Sequence, residues 1–253
     1  ALAGALGAQA SGSALVGLLT GMGVGALIGL VFGTISTSLR GSQLISGVGI
    51  NLLALGFVAL MLSVMGAPGF HSVAREVQVP LIPLGIGNLS PLVPITVIVA
   101  IGVWWLLRRT QLGIWIRAVG ENPAAADVAG IRVNRVRLGA AVAAGVLAGL
   151  AGAYLSIDWF GAVTKEITAG RGFIALAIVV FSGLNPLLAL LGGFIFGFFD
   201  GLATWVATYP GIKDIIPWQF VAMMPYVVTL AVVAGMIGRV RFPSALGVPY
   251  LRE

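Results

Sequence analysis

Few residues in this sequence could carry covalent chemistry. There are no cysteines and one histidine, His71, so disulfides and thiolate sites are excluded and a histidine-based metal centre is not expected. Neither lysine, Lys165 or Lys213, follows a glycine as a phosphate-binding loop requires. No nucleophile–base pair or carboxylate cluster stands in the apolar runs, so no catalytic or metal-ligating residue is assigned and an enzyme is not expected. What remains is chemistry of recognition. Asn51 and Asp200 are isolated polar residues in apolar stretches, and such groups usually face protein or a water-filled cavity. The Asn51 amide both donates and accepts, so it either reads a hydroxyl or base edge of a solute or bonds a neighbouring helix. Asp200 either lines a pathway or sits near the outer interface, where hydration makes its charge cheap.

A second group of residues suits docking. The segment Arg117-Ala-Val-Gly-Glu-Asn-Pro-Ala-Ala-Ala-Asp-Val-Ala-Gly-Ile131 is built to make one short helix. Glu121 precedes it, Asn122 is a favoured N-cap, and Pro123 fits the first helical position, where no N–H is needed. Ala124, Ala125 and Ala126 are strong helix formers, Asp127, Val128 and Ala129 follow, and Gly130 is a natural stop. About two turns long, the helix is too short and polar to span a membrane. Its small-residue face fits a cleft in another protein; the plainer alternative is an ordinary surface helix.

The elements that must position these residues follow from composition. Of 253 residues, 59% are hydrophobic and 9% charged. A soluble domain carries roughly a quarter charged residues, so lipid must cover much of this surface. Backbone groups in lipid need internal partners, and the apolar runs are continuous rather than alternating, so the spans are helices. Full spans are expected over about Ala14–Ser38, Gln43–Val64, Pro91–Leu107, Leu138–Ile157, Leu187–Ala207 and Trp218–Gly238. The apolar opening, Ala1-Leu-Ala-Gly4, reads as the tail of a span whose start is absent. The expectation is an all-α polytopic membrane protein with about seven to eight transmembrane helices or half-helices, forming one domain over residues 1–253. Within it lie a polar loop at 108–137 and a broken segment at 170–207.

Alternation of the spans separates the loops into two groups. One holds ten of the 14 Lys and Arg residues, Arg40, Arg108, Arg109 and Arg117 among them. The positive-inside bias assigns that group, with the 108–137 loop and the C-terminus, to the cytoplasm. The net charge of +6 therefore marks orientation and not nucleic-acid binding. Glycine is the other signal, at 37 residues. Gly17, Gly21, Gly25, Gly29 and Gly33 form one helical stripe; Ala141, Gly145, Gly149 and Ala153 form a second, and Ala189, Gly193, Gly197 and Gly201 a third. Such stripes let helix backbones approach closely in lipid.

The 170–207 segment is interrupted. Phe173 to Phe181 would make only about 14 Å of helix at 1.5 Å per residue, half a membrane. A break follows at Ser182-Gly-Leu-Asn-Pro186. Discontinuous helices leave polar ends near the midplane, where solutes can bind. Phe173 and Asn185 thus join Asn51 and Asp200 as pathway candidates. The alternative is a plain hairpin whose turn reaches the cytoplasmic face.

The Arg117–Ile131 segment resembles the coupling-helix region of ABC importer permeases of the branched-chain amino acid, ribose and nucleoside group. Gln43-Leu-Ile-Ser-Gly-Val-Gly-Ile-Asn-Leu-Leu-Ala-Leu-Gly56 and Ala169-Gly-Arg-Gly-Phe-Ile-Ala-Leu176, with Asn185-Pro186 after them, are similar to the nucleoside-type permeases. The resemblance runs from about Ala14 to Arg241 and implies a permease in a bacterial or archaeal inner membrane. It implies a cytoplasmic ABC ATPase that binds ATP and Mg, a second permease, most simply a sister chain, and an extracytoplasmic solute-binding protein or lipoprotein. No cofactor is expected on this chain itself. Nucleosides are the expected solute, with simple sugars and then branched-chain amino acids as alternatives. The rival from another class is a secondary transporter or channel; the coupling-type loop and the scarcity of ionisable residues in the spans argue against it.

Overall fold

A computed structural model describes residues 1–67, 69–80, 82–83, 88–208, 219–221, 223–224, 226–227 and 242–250. The expected span Trp218–Gly238 falls largely outside these, as do Lys213, Arg239, Arg241 and Arg252. The described chain is mainly helical: α1 Leu2–Ser11, α2 Ala14–Thr37, α3 Gln43–Val64, α4 Leu92–Arg109, α5 Gln111–Glu121, α6 Pro123–Val128, α7 Val133–Tyr154, α8 Arg171–Phe181 and α9 Pro186–Thr208. Four short strands join them: β1 Phe70–Ser72, β2 Ile82–Pro83, β3 Asn88–Leu89 and β4 Ala162–Thr164. β1 pairs antiparallel with β4, His71 opposite Val163, and β2 pairs with β3. Among the described residues, five helices are long and apolar enough to cross a membrane: α2, α3, α4, α7 with its continuation to Trp159, and α9.

The chain divides into two compact units. The first comprises Ala1–Ile95, Arg109–Ala169 and Pro243–Glu253. Its centre is the contact of α2 with α7, and two of the glycine stripes meet there face to face. A Cβ at Gly29 would come within 2.5 Å of the Ala141 carbonyl oxygen, and one at Gly21 within 2.7 Å of the Ala153 Cβ. At Gly25, Gly145 and Gly149 it would overlap backbone of the opposite helix. These glycines are needed because backbone lies against backbone, the approach that gives dispersion contacts in lipid. α1 closes over one end of the pair. Thr20 Oγ1 donates to the Ala3 carbonyl at 3.2 Å, and Ser156 Oγ to the Ala1 carbonyl at 3.0 Å. Ala8, Leu18, Val79, Leu92, Ala153 and Ile157 form the core beneath.

Hydroxyls within the spans turn back on their own helices. Thr34 donates to the Leu30 carbonyl at 2.8 Å, Thr37 to Gly33 at 2.6 Å and Ser36 to Phe32 at 2.7 Å. This satisfies groups that lipid could not. α3 leaves Leu44 and Leu53 79% and 72% exposed, which in a helix this apolar marks a face turned to lipid or another chain. α7 ends in a π-turn, Leu155–Trp159, that leads into β4. At 22 residues it is about 33 Å long at 1.5 Å per residue, enough to cross the apolar layer.

The second unit comprises Thr96–Arg108 and Gly170–Phe242. Its described core is the α8–α9 hairpin, in which Ile178 lies where a side chain at Gly192 would be, 2.7 Å from a Cβ built there. The third stripe fares differently from the other two. A Cβ at Gly193, Gly197 or Gly201 would meet nothing within 4 Å among the described residues.

The helix α5 and the four short strands were not foreseen in the sequence, which showed only a polar loop at each place. α5 is amphipathic, and Thr110 caps it by accepting from the Gly113 N–H at 3.3 Å. Its Gly113 and Val119 are buried while Leu112, Ile114 and Trp115 stay exposed, the pattern of a helix lying in a membrane interface.

If the α2–α7 approach is the organising contact, Gly145→Leu should destabilise the protein by about 1–3 kcal/mol, as overpacking against backbone does. In detergent this should lower the unfolding midpoint by about 2–10 °C. Gly56→Leu, where a Cβ meets nothing within 4 Å, should leave the midpoint unchanged.

Candidate functional site

The loop helix forms as its residues dictate. Asn122 caps α6, its Oδ1 accepting from the Ala125 N–H at 3.0 Å, and Pro123 occupies the first turn. At the other end Gly130 has φ +84°, and its N–H reaches the Asp127 carbonyl at 2.9 Å while the Ile131 N–H reaches that of Ala126 at 3.0 Å. This pair of bonds is the Schellman closure, which stops a helix at a left-handed residue. Ala126 alone points inward, where it packs with Val119 of α5 and Val133 of α7. Ala124, Ala125, Val128 and Ala129 are exposed, Val128 at 91%. The exposed face is therefore small and apolar, and both helix ends are pinned.

The C-terminal segment joins this cluster, which the sequence did not suggest. Ser244 Oγ donates to the Glu121 carbonyl, and the Ala245 N–H donates to the Gly120 carbonyl at 3.1 Å. Tyr250 Oη donates to the Asp127 carboxylate at 3.1 Å, and Arg137 Nη1 to the Val248 carbonyl at 2.8 Å. The opposite end of α7 carries the β1–β4 sheet. There the Val73 N–H reaches the Gly161 carbonyl at 2.8 Å, and His71 Nε2 hydrogen-bonds Gln9 Oε1 at 2.8 Å. Within the first unit, Arg132, Arg135 and Arg137 thus stand at one end of a membrane-length helix and the β1–β4 sheet at the other.

Of the pathway candidates, Phe173, Asn185 and Asp200 all belong to the α8–α9 hairpin, whereas Asn51 stands on α3 in the other unit. α8 has 11 residues, about 16 Å of helix and roughly half the apolar layer. The chain reverses through Gly183 and Leu184, both left-handed at φ +57° and +62°. Asn185 then caps α9, its Oδ1 accepting from the Leu187 N–H at 3.2 Å. That gives Asn185 a structural task. Phe173 is 76% exposed and Asn51 is exposed as well. Asp200 is ion-paired with Arg171 at 3.0 Å. Arg171 was absent from the candidates, although one signal pointed to it. It opens an apolar helix that lies beside another apolar helix carrying a single acid, Asp200.

With five helices among the described residues long and apolar enough to cross a membrane, the chain is a multi-pass membrane protein. Residues 1–238 match the family model for the branched-chain amino acid transport system permease component, and the chain belongs to that family. It is 34% identical over 244 residues to the nucleoside ABC transporter permease protein NupC of Lactococcus lactis, covering 90% of this chain and 76% of that protein. It is 35% identical over 247 residues to the guanosine ABC transporter permease protein NupQ of Bacillus subtilis, covering 93% and 77% respectively. With the ribose import permease protein RbsC of Escherichia coli it shares 31% identity over 224 residues, 79% of this chain and 65% of that protein. No solved structure matches.

The Arg171–Asp200 pair is partly exposed, so pairing of this kind is worth at most about 1 kcal/mol. Arg171→Gln or Asp200→Asn should each lower solute uptake about two- to fivefold. The exchanged pair, Arg171→Asp with Asp200→Arg, should recover most of it. If the exchange is as poor as the single changes, the ion pair is not what the hairpin requires.

Proposed function

We propose that this chain forms the translocation pathway for nucleosides in an ATP-driven importer, with α6 as the element that engages a separate cytoplasmic ATPase. The observation that carries the mechanism is the geometry of α6: six residues, capped at both ends, presenting Ala124, Ala125, Val128 and Ala129 outward. A helix with no reactive group and an exposed small face is suited to sit in a groove. A push there passes to α7 through only the four residues 129–132. The ATPase binds ATP and Mg, and this chain holds no cofactor. The α6 end of α7 is cytoplasmic, supported by Arg117, Arg132, Arg135 and Arg137 around it. A second permease, most simply a sister chain, and an extracytoplasmic solute-binding protein complete the assembly.

The solute path runs beside the α8–α9 hairpin. α8 is a re-entrant half-helix whose end at Ser182–Leu184 leaves polar backbone near the midplane, where a solute can hydrogen-bond. Phe173 offers a ring to stack on a base; Asn51, on α3 of the first unit, is a separate candidate whose amide can donate to and accept from a hydroxyl or base edge. The similarity to the nucleoside and guanosine permeases supports nucleosides as the solute. Simple sugars are the second reading, favoured by the similarity to the ribose import permease.

In proteoliposomes with its ATPase and binding protein, the chain should accumulate labelled guanosine only when ATP is supplied on the ATPase side. Unlabelled nucleosides should compete, and ribose and leucine should not. Competition by ribose alone would move the assignment to sugars, and accumulation on a proton or sodium gradient without ATP would make the chain a secondary transporter.

Ala125→Trp places a large side chain on the docking face. Overpacking of a fitted contact costs about 1–3 kcal/mol, roughly ten- to hundredfold in affinity. The variant should reach the membrane in normal amounts yet lose co-purification of the ATPase, whereas Ala125→Ser should keep it. Retention of both association and uptake by Ala125→Trp would reduce α6 to an ordinary surface helix.

A further inference from the structure

We infer that the C-terminal segment Pro243–Tyr250 is a brace that fixes α6 against α7, with Tyr250 as its positioning residue; this rests on the reading of α6 as the coupling element. Six residues of helix cannot hold themselves together in water, since the first turn alone costs more than its hydrogen bonds return. The caps pin the ends of α6 but do not set its angle to the membrane-crossing helix. Only Ala126 anchors it from below, against Val119 and Val133. The brace supplies what is missing. It touches α5 through Ser244 to Glu121 and the Ala245 N–H to Gly120, and α7 through Arg137 to the Val248 carbonyl. It reaches α6 through Tyr250.

Tyr250 does two things at once. Its ring packs on the Val119, Ala126 and Val133 cluster, and its hydroxyl donates to Asp127 at 3.1 Å. Asp127 sits on α6 immediately before the exposed Val128 and Ala129, so the bond ties the docking face to the brace. Pro243 lies over Gly120 at van der Waals distance, 3.4 Å from where a Cβ would stand. The residues joined are 123 apart in sequence. A helix held from three sides moves as a lever with α7, whereas one held only by its own caps yields where it is pushed.

The test is amide hydrogen exchange on the full chain in nanodiscs, alongside the ratio of ATP hydrolysed to solute transported in the reconstituted importer. Tyr250→Ala should speed exchange across Ala125–Gly130 about tenfold and leave α2 and α9 unchanged. Tyr250→Phe, which keeps the ring and loses the hydroxyl, should fall between it and the parent. The hydrolysis-to-transport ratio should rise in the same order, with the ATPase still bound in each variant. Unchanged exchange in Tyr250→Ala would overturn the brace. Faster exchange with an unchanged ratio would show that the brace has no part in coupling and would overturn the inference equally. Failure of the docking reading looks different, because it is Ala125→Trp that would then keep the ATPase, whatever the exchange at α6.

Discussion

Everything in the first unit depends on how closely α2 and α7 approach each other. In lipid there is no hydrophobic gain from burying a leucine against another leucine, because acyl chains are as apolar as either. Association must come from contacts that lipid cannot match, and backbone lying on backbone is the main source. Gly21, Gly25 and Gly29 on one side and Ala141, Gly145, Gly149 and Ala153 on the other leave no room for larger side chains. That contact fixes the axis of α7, and α7 in turn carries the β1–β4 sheet at one end and the α5–α6 cluster at the other.

The same economy explains the polar residues in the spans. Thr34, Ser36 and Thr37 satisfy themselves on the preceding turn of their own helix, so they need no water or partner chain. Asp200 cannot do this, since an ionised carboxylate has no donor of its own, and it draws Arg171 from the neighbouring helix. The hairpin is therefore tied by a charge pair at its open end and by Ile178 against Gly192 nearer the turn. In a half-length helix such as α8, ties of this kind replace the contact length that a full span would have.

The α5–α6 cluster has a different physics. α5 and α6 are too short to cross the apolar layer, and they are held by packing and hydrogen bonds to α7 and the 243–250 segment. A three-residue apolar core of Val119, Ala126 and Val133 is covered by Tyr250 and surrounded by hydrogen bonds to backbone carbonyls. The result is a packed knob at one end of α7 with an exposed face of small side chains.

Local sequence determined the helices of this protein. The boundaries of α2 and α3 follow from apolar length, and those of α6 from Asn122, Pro123 and Gly130, because each depends only on residues within a turn or two. Stripes of glycine were equally legible as stripes. Which stripe meets which was decided by tertiary structure alone: two of them close on each other, while the third, Gly193 to Gly201, meets nothing among the described residues. The α5 helix was hidden because its apolar residues sit among charged ones in a loop, and the β1–β4 pair because three-residue strands have no period to read. The Arg171–Asp200 pair and the bond from Tyr250 to Asp127 join residues 29 and 123 positions apart. No local pattern encodes contacts at those separations. They exist because the hairpin of α8 with α9 brings Arg171 to Asp200, and because the 243–250 segment packs on the cluster of α5, α6 and α7.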